Sequence, residues 1–426
     1  MADERSRRSG ELEETAVDEA LRQYQQDMAR AVISRRRFMT GAALVAGSAM
    51  LAACSPSAEV SSAPPSASAV PSGPPPSVVG TGAEATDTPA PSAVPSYAVE
   101  SEFLLYNWSD YFSPDNLTAF QQQYNLTVTQ TTYASNEEML AKLQAGGKGQ
   151  YDVAVPTAEF STTLANGGFL EKLDKSRLPN LATINQRFLT LPFDPHDDYI
   201  VPKDWGTTGI IYRGNKVTEP IASWKDFFDL GKTKYSGKVF VVDSPGDVLV
   251  APLRLHGFDV NTTDTGELEI ARKELMALRP HIQSIDSDNY PTTLQKEQAV
   301  IGLAWNGTAY VLQSNPNNKY KDTAWVIPSE GTIYWTDTWV MLAEAPHPNA
   351  AYAFLNWIQD PQQQVVESLY AGYASCNDAA KPLLPPDFAG NPAIYVPDAQ
   401  LPLLSVSTDQ SGNTQRADIW AEFKAG

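Results

Sequence analysis

From Glu102 to the C-terminus, apolar β-branched and aromatic runs alternate with segments that carry helix start signals. This alternation is the strongest constraint on the fold. Residues 102–108 (EFLLYNW) read as a strand, and Ser113-Pro114-Asp115 behind them reads as a helix start, a cap residue with proline at the first helical position. LTVTQTTY (126–133) is the next strand pattern, and Ser135-Asn136-Glu137-Glu138 forms a capping box before MLAKLQAGG, which stops at glycine. YDVAVP (151–156), VFVVD (239–243), AVIGLAW (299–305), TAWVIP (323–328) and YWTDTWVML (334–342) continue the strand series. Helical patterns follow Ser244 and run through GELEIARKELMALR and AAYAFLNWIQD. Repeated strand–helix units predict an α/β fold with largely parallel sheets, which bind ligands at the carboxyl ends of strands. No internal repeat is visible.

At 426 residues the chain is too long for one small core, so two lobes are expected. The net charge is −19, and residues 1–53 hold eight basic and eight acidic residues, so the remainder carries all of it. A chain so poor in clustered Lys and Arg is unsuited to nucleic acid or to a basic-patch lipid contact, and compatible with a cationic partner. Acidity that only maintains solubility is the plainer alternative. Two cysteines, Cys54 and Cys376, make no disulfide framework, and His196, His256, His281 and His347 show no metal-ligand spacing. DPHDDY (194–199) reads as a turn. Neither metal nor cofactor is expected.

The N-terminus reads as an address. Ser34-Arg35-Arg36-Arg37-Phe38-Met39 is similar to the twin-arginine export signal. The apolar stretch from Met39 to Ala53 has 15 residues, short of the ~18–20 that span a bilayer. It ends in Leu51-Ala52-Ala53-Cys54, which resembles a lipobox with Cys54 as the acylated residue. Residues 1–53 are expected to be removed. Residues 54–98, rich in Ser, Pro and Ala, read as a tether that cannot bury enough apolar surface to order itself. The domain is then anchored on the outer face of the cytoplasmic membrane through lipid.

Aromatic and acidic residues cluster at the ends of the strands. YNWSDY follows the first, Thr157-Ala158-Glu159-Phe160 follows YDVAVP, and Asp243-Ser244-Pro245-Gly246-Asp247 follows VFVV. Trp305-Asn306-Gly307 ends AVIGLAW, and Tyr334-Trp335-Thr336-Asp337 lies in a late strand. Buried core aromatics, a helix cap at Ser244 with Asp247 at its third position, and a surface Glu159 are the structural alternatives. Cys376 reads as a small buried thiol.

These stretches, with YASNEEMLAKLQAG, WGTTGI, SWKDFFD, NTTDTGELEIA, SDNY, LAWNGTAY, WVIPSEG, GYAS and NPAIYVP, together resemble the spermidine/putrescine-binding proteins of bacterial ABC importers. The likeness covers residues 102–426. It implies a type II periplasmic-binding fold, two α/β lobes joined by crossover strands with a ligand cleft between them. Lobe 1 would comprise 99–207 plus 338–382, and lobe 2 would comprise 208–337 plus 383–426. It also implies a monomer that captures a polyamine and delivers it to an importer permease. Trp108, Ser109, Tyr111, Thr157, Asp247, Ser287, Trp305, Trp335, Asp337, Tyr373 and Gln410 match the family's ligand positions, with Thr157 where a serine is usual. Two positions depart: Glu159 stands where the family has a tyrosine, and Ser244 where it has a carboxylate. Glu159 therefore joins the candidate ligand set, a carboxylate moved across the cleft.

A polyamine needs apolar walls for its methylenes and acceptors for each ammonium. Aromatic faces supply cation–π attraction of ~0.5–2 kcal/mol per contact, and carboxylates read the spacing of charges. Asp337 is the expected primary anchor. A receptor for another cationic or zwitterionic amine is the runner-up. An envelope hydrolase is the rival class, with Asp337 and Glu159 or Asp247 as acid and base, but the chain shows no GxSxG and few histidines, so it is read as a non-enzyme.

Overall fold

The computed structural model describes residues 97–426, apart from 316–318 and 411. The twin-arginine motif, Cys54 and most of the tether lie outside the described residues. The first half of the domain contains β1 (Glu102–Trp108), α1 (Pro114–Tyr124), β2 (Thr127–Tyr133), α2 (Asn136–Lys142), β3 (Val153–Ala154), α3 (Phe160–Asn166) and β4 (Ile200–Arg213). Then come α4 (Trp224–Lys232), β5 (Val239–Val241), α5 (Pro245–Leu255), α6 (Thr265–Leu278), β6 (Ile282–Ile285), α7 (Tyr290–Gln295), β7 (Ile301–Trp305) and α8 (Gly307–Gln313). The remainder is β8 (Thr323–Val326), β9 (Thr332–Met341), α9 (Pro348–Trp357), α10 (Pro361–Ala371), β10 (Ala374–Ser375), α11 (Pro386–Ala389), β11 (Leu404–Val406) and α12 (Thr414–Ala425). No helix of the described residues is long and apolar enough to cross a membrane.

The helix starts follow the cap chemistry. Ser113 Oγ accepts from the backbone N–H groups of Asp115 and Asn116, and Pro114 occupies the first turn. Ser135 Oγ accepts from Glu138 N, while the Glu138 carboxylate accepts from Ala134 N, one residue before the cap. At Ser244 the expected cap takes another form: the residue is the N-cap of α5, but its hydroxyl donates to Asp247 Oδ2 at 2.6 Å rather than accepting from the helix backbone.

The sheet runs β2-β1-β3-β9-β4-β7-β5-β6, with β8 and β10 on β4 and β11 on β9. Pairs β1–β2, β1–β3, β5–β6, β5–β7 and β9–β11 are parallel. The expected parallel character ends at the middle of the sheet, where β4 is antiparallel to β9, β7, β8 and β10, and β3 to β9. The mixture has a topological reason. β4 and β9 are long strands that pass from one set of strand–helix units to the other, and they run past each other in opposite directions.

β4 explains how this works. Its 14 residues extend about 45 Å at ~3.3 Å per residue. At its start, Ile200 packs with Tyr106, Tyr133, Met139 and Val340, and Val201 with Phe103, Phe120, Trp339 and Phe354. At its end, Ile210 and Ile211 pack with Trp224, Phe240, Leu275, Ile301 and Phe423. Both clusters alternate along the strands as a sheet covered on both faces requires: Phe103 and Leu105 enter one, Tyr106 the other. Between these cores the strand is polar and buried, from Lys203 to Thr208. That stretch carries the site.

Candidate binding cleft

The polar middle of β4 lies beside the polar middle of β9. Asp204 is paired with Asp337, and Gly206 with Trp335. The register shifts between Pro202 and Asp204. Pro202 cannot donate to the ladder, and such an irregularity re-aims the side chains beside it. Gly206 is required here, since a Cβ would lie 2.4 Å from the Trp335 ring.

Asp337 is 7% exposed. The Tyr111 hydroxyl lies 2.8 Å from its Oδ2 and 2.6 Å from Asp204 Oδ1. Asp204 also meets Lys203 Nζ at 2.5 Å, and that ammonium sits 3.6 Å from the centre of the Tyr111 ring. Burial, and next to it the Asp204 charge, push the Asp337 carboxyl up to about 7, against the pull of Tyr111, Lys203 and Thr157. Thr157 bridges to Asp337 through the backbone and is held by Asn136, whose Nδ2 donates to Thr157 Oγ1 at 3.0 Å and whose Oδ1 accepts from Thr157 N at 3.1 Å.

Aromatic rings wall this region. Tyr373 stands edge-on to Trp335 at 4.9 Å and to Tyr111 at 6.0 Å. Gly307 lets it approach, because a Cβ there would fall 2.5 Å from the Tyr373 ring. Trp108, the last residue of β1, donates from Nε1 to Val155 O at 2.8 Å, and the Tyr133 hydroxyl donates to the same carbonyl at 2.5 Å. The two rings lie 4.9 Å apart.

On the α5 side, Asp247 accepts hydrogen bonds from Thr208 Oγ1 and Ser244 Oγ, and interacts with the Trp305 side chain. Desolvation nevertheless raises its carboxyl. Trp305 stands edge-on to Tyr290 at 6.3 Å. Ser287 Oγ accepts from Asp243 N at 3.0 Å, tying the loops that follow β5 and β6, and Asp243 itself pairs with Lys424.

Glu159 immediately precedes α3 and is partly buried. Burial first, then the charges of Asp337, Asp247 and Asp409, push its carboxyl up to about 8. Glu159 thus lies in the field of both Asp337 and Asp247. Among the described residues, none of the three forms an ion pair with Lys or Arg. Two expected residues make no such contribution here: Ser109 is exposed in the turn after β1, and Gln410 donates to Thr408 Oγ1 within its own loop at 2.7 Å. Beside Gln410, Asp409 accepts from Thr163 Oγ1 on α3.

Sequence reasoning missed Lys203 and Asp204, although a Lys-Asp pair inside the apolar run from Ile200 to Arg213 is a visible signal of a buried ion pair. Glu367 was also missed. Its Oε1 accepts from Ser113 N and Asn116 Nδ2, its Oε2 is 4.0 Å from Lys203 Nζ, and burial lifts its carboxyl to about 7. It sits mid-helix in α10, and nothing in its local pattern marks it. A separate cavity of about 310 Å³ runs along β6, lined by Arg279, Gln283, Ser284 and Lys424 and by none of the candidate residues.

Aromatic walls and carboxylates without an ion-pair partner among the described residues, set where two long strands join strand–helix units, are the site of a solute receptor of the type II periplasmic-binding fold. The chain belongs to the bacterial extracellular solute-binding protein family, whose profile matches residues 117–396. It is 35% identical over 299 residues to the spermidine/putrescine-binding periplasmic protein of Escherichia coli K12, covering 70% of this chain and 83% of that one. It is 31% identical over 352 residues to a putrescine/agmatine-binding protein of Pseudomonas aeruginosa, covering 79% and 95%. The solved structure of the spermidine/putrescine ABC transporter substrate-binding protein PotD from Streptococcus pneumoniae matches with a TM-score of 0.65 at 29% identity, over 76% of this chain and 99% of that one. All three carry the names of binding proteins, one of them of an ABC transporter, and none is named as an enzyme.

Proposed function

We propose that the protein captures a polyamine, putrescine or spermidine, outside the cytoplasmic membrane and delivers it to an ABC importer. The observation that carries this reading is the group formed by Glu159, Asp247 and Asp337. Three desolvated acids, Glu159 lying in the field of the other two, with no Lys or Arg paired to them among the described residues, favour a ligand that brings several positive charges of its own. Trp335, Tyr373, Tyr111 and Trp305 supply rings for the methylenes and the ammonium groups. The names of the relatives agree with this chemistry.

Trp108, Ser109, Thr157, Ser287 and Gln410 complete the proposed ligand set, with Ser109 and Gln410 joining only as the cleft closes. The proposed lobes are 99–207 with 338–382 and 208–337 with 383–426, and β4 and β9 are the strands that cross between them. The core around Ile210, Phe240 and Phe423 and the core around Phe103, Trp339 and Phe354 support that division. Export by the twin-arginine route, lipid attachment at Cys54 and a monomeric state belong to the same proposal, on the sequence of residues 34–54. A second reading, another cationic or zwitterionic amine, draws on Glu159 and Ser244, the two departures from the family pattern.

The test is calorimetric titration of the purified chain with putrescine, spermidine, spermine, lysine and glycine betaine, with tryptophan fluorescence as a second readout. Tight binding of one polyamine that is lost in Asp337→Ala supports the reading. Binding of lysine or betaine in preference to every polyamine replaces it with the second.

A further inference from the structure

The hydroxyl of Tyr111 lies within hydrogen-bond distance of two carboxylates, 2.6 Å from Asp204 Oδ1 and 2.8 Å from Asp337 Oδ2. A phenol has one proton to donate. Both acids are buried, and the phenol is itself protonated, since burial and the two carboxylates raise it far above its ordinary range. If both acids were ionised, one of them would face the lone pairs of the phenol oxygen at 2.8 Å or less with no hydrogen between, which is repulsive. One acid must carry the missing hydrogen.

Lys203 identifies which. Its ammonium, 1% exposed, is 2.5 Å from Asp204 Oδ2, so a proton placed on Asp204 would leave that buried ammonium without its counter-charge. Among the described residues, Asp337 has no such partner. Around it stand Asp204 and Lys203 from β4, Tyr111 from the loop after β1, and Tyr133 from β2. Glu159 faces it from the start of α3, and Tyr373 and Cys376 from the segment around β10. The tyrosines and the cysteine are neutral, their ionisation opposed by burial. Among the described residues, the Asp204 charge opposes a charge on Asp337, Glu159 is itself raised, and the Lys203 ammonium is already engaged by Asp204.

We propose that Asp337 holds a proton, donated to Tyr111 Oη while the phenol proton goes to Asp204, and that an ammonium group captured at Asp337 expels it. The carboxyl O–H bond breaks, the proton passes to the buffer, and a carboxylate–ammonium pair takes its place, the ammonium charge offsetting the repulsion between Asp337 and the Tyr111 lone pairs; no redox change is involved. In this arrangement Asp204 is a positioning residue, acting on the ligand only through Tyr111 and Asp337. Capture of the amine is then linked to pH across the neutral range and weakens as the medium acidifies.

This inference rests on the polyamine reading, and the experiment separates the two. Spermidine is titrated calorimetrically into the whole chain at pH 7 in buffers of different ionisation enthalpy, which gives the protons released per ligand. Glu159→Gln removes the cleft acid that is raised furthest, to about 8, and Asp337, raised to about 7, then contributes roughly half a proton at that pH. Adding Asp204→Asn to that variant should lower the release, because burial then acts on Asp337 without the neighbouring charge, an effect that a merely structural role would not produce. Spermidine binding with no proton release in Glu159→Gln overturns the inference and leaves the polyamine reading intact. If spermidine does not bind the unsubstituted chain, that reading fails. Carbon-detected NMR of the aspartate carboxyls then still reads the charge state directly: an Asp337 resonance, assigned through Asp337→Asn, that titrates near neutral pH supports the inference, and one already ionised at pH 5 overturns it. The same NMR titration serves if the double variant fails to fold.

Discussion

Asp337 and Asp247 are both desolvated carboxylates in the cleft, yet they are held in opposite ways. Asp337 belongs to a network that already contains charge, with Tyr111, Asp204 and Lys203 in contact and Glu367 behind the lysine. Asp247 is held by neutral groups alone, the hydroxyls of Thr208 and Ser244 and the Trp305 side chain. The first arrangement is rigid and electrostatically coupled, so any change there propagates. The second is local, and a change there alters one contact. A cation bridging the two meets one anchor whose charge state is adjustable and one whose orientation is set by hydroxyl groups.

The contrast can be broken most forcefully at Lys203. Lys203→Met strands Asp204 in a buried site and should cost ~3–5 kcal/mol of stability, read as a lower urea midpoint. A variant as stable as the parent would mean that the buried network holds nothing together. Asp337→Ala comes next: removal of one partner of a desolvated ion contact should weaken polyamine binding by ~2–5 kcal/mol, roughly 30-fold to several thousand-fold. Asp247→Asn retains shape and most hydrogen bonding, and the loss of the charged contact should weaken binding by ~1.5–3 kcal/mol, measured in the same titration. If Asp247→Asn proved the more damaging of the two, the ranking of the anchors would be reversed.

A fourth test sharpens the comparison through pH. Glu159 is raised to about 8 and Asp337 and Glu367 to about 7, from ordinary values near 4. The folded protein therefore binds more protons than the unfolded chain from about pH 4 to about pH 8, and ligand-free stability should fall as pH rises through that window. The slope is at most ~1.4 kcal/mol per pH unit for each extra proton bound. Urea midpoints at pH 5.5 and 8.0 measure it, with the midpoint expected to be higher at 5.5. Saturating polyamine should flatten the slope, because the ligand supplies the charge that the acids lack.

Much of this was legible in the chain, for reasons that are local. Ser113-Pro114 and Ser135 start helices because a hydroxyl within three residues can satisfy orphan N–H groups, and EFLLYNW alternates because side chains of a strand alternate. The candidate residues Trp108, Thr157, Asp247 and Trp305 stood out because strands end where turn residues begin, and acids and aromatics at those ends are visible without knowing any partner. Ser244 shows the limit. Its place at the helix start was readable, but its hydroxyl bonds Asp247, a choice that depends on Thr208 from another strand.

By itself, then, the sequence determined the strand–helix alternation, the caps and the acidic, aromatic character of the strand ends. The tertiary structure alone decided that β4 and β9 cross between the cores as antiparallel partners, with Asp204 beside Asp337. It also decided that Lys203, Asp204, Tyr111 and Glu367, separated by up to 256 positions in the chain, share one buried network. The physical reason is range. Capping and alternation act over a few residues, whereas the protonation of a buried carboxylate is set by whichever charges the fold brings within a few ångströms of it.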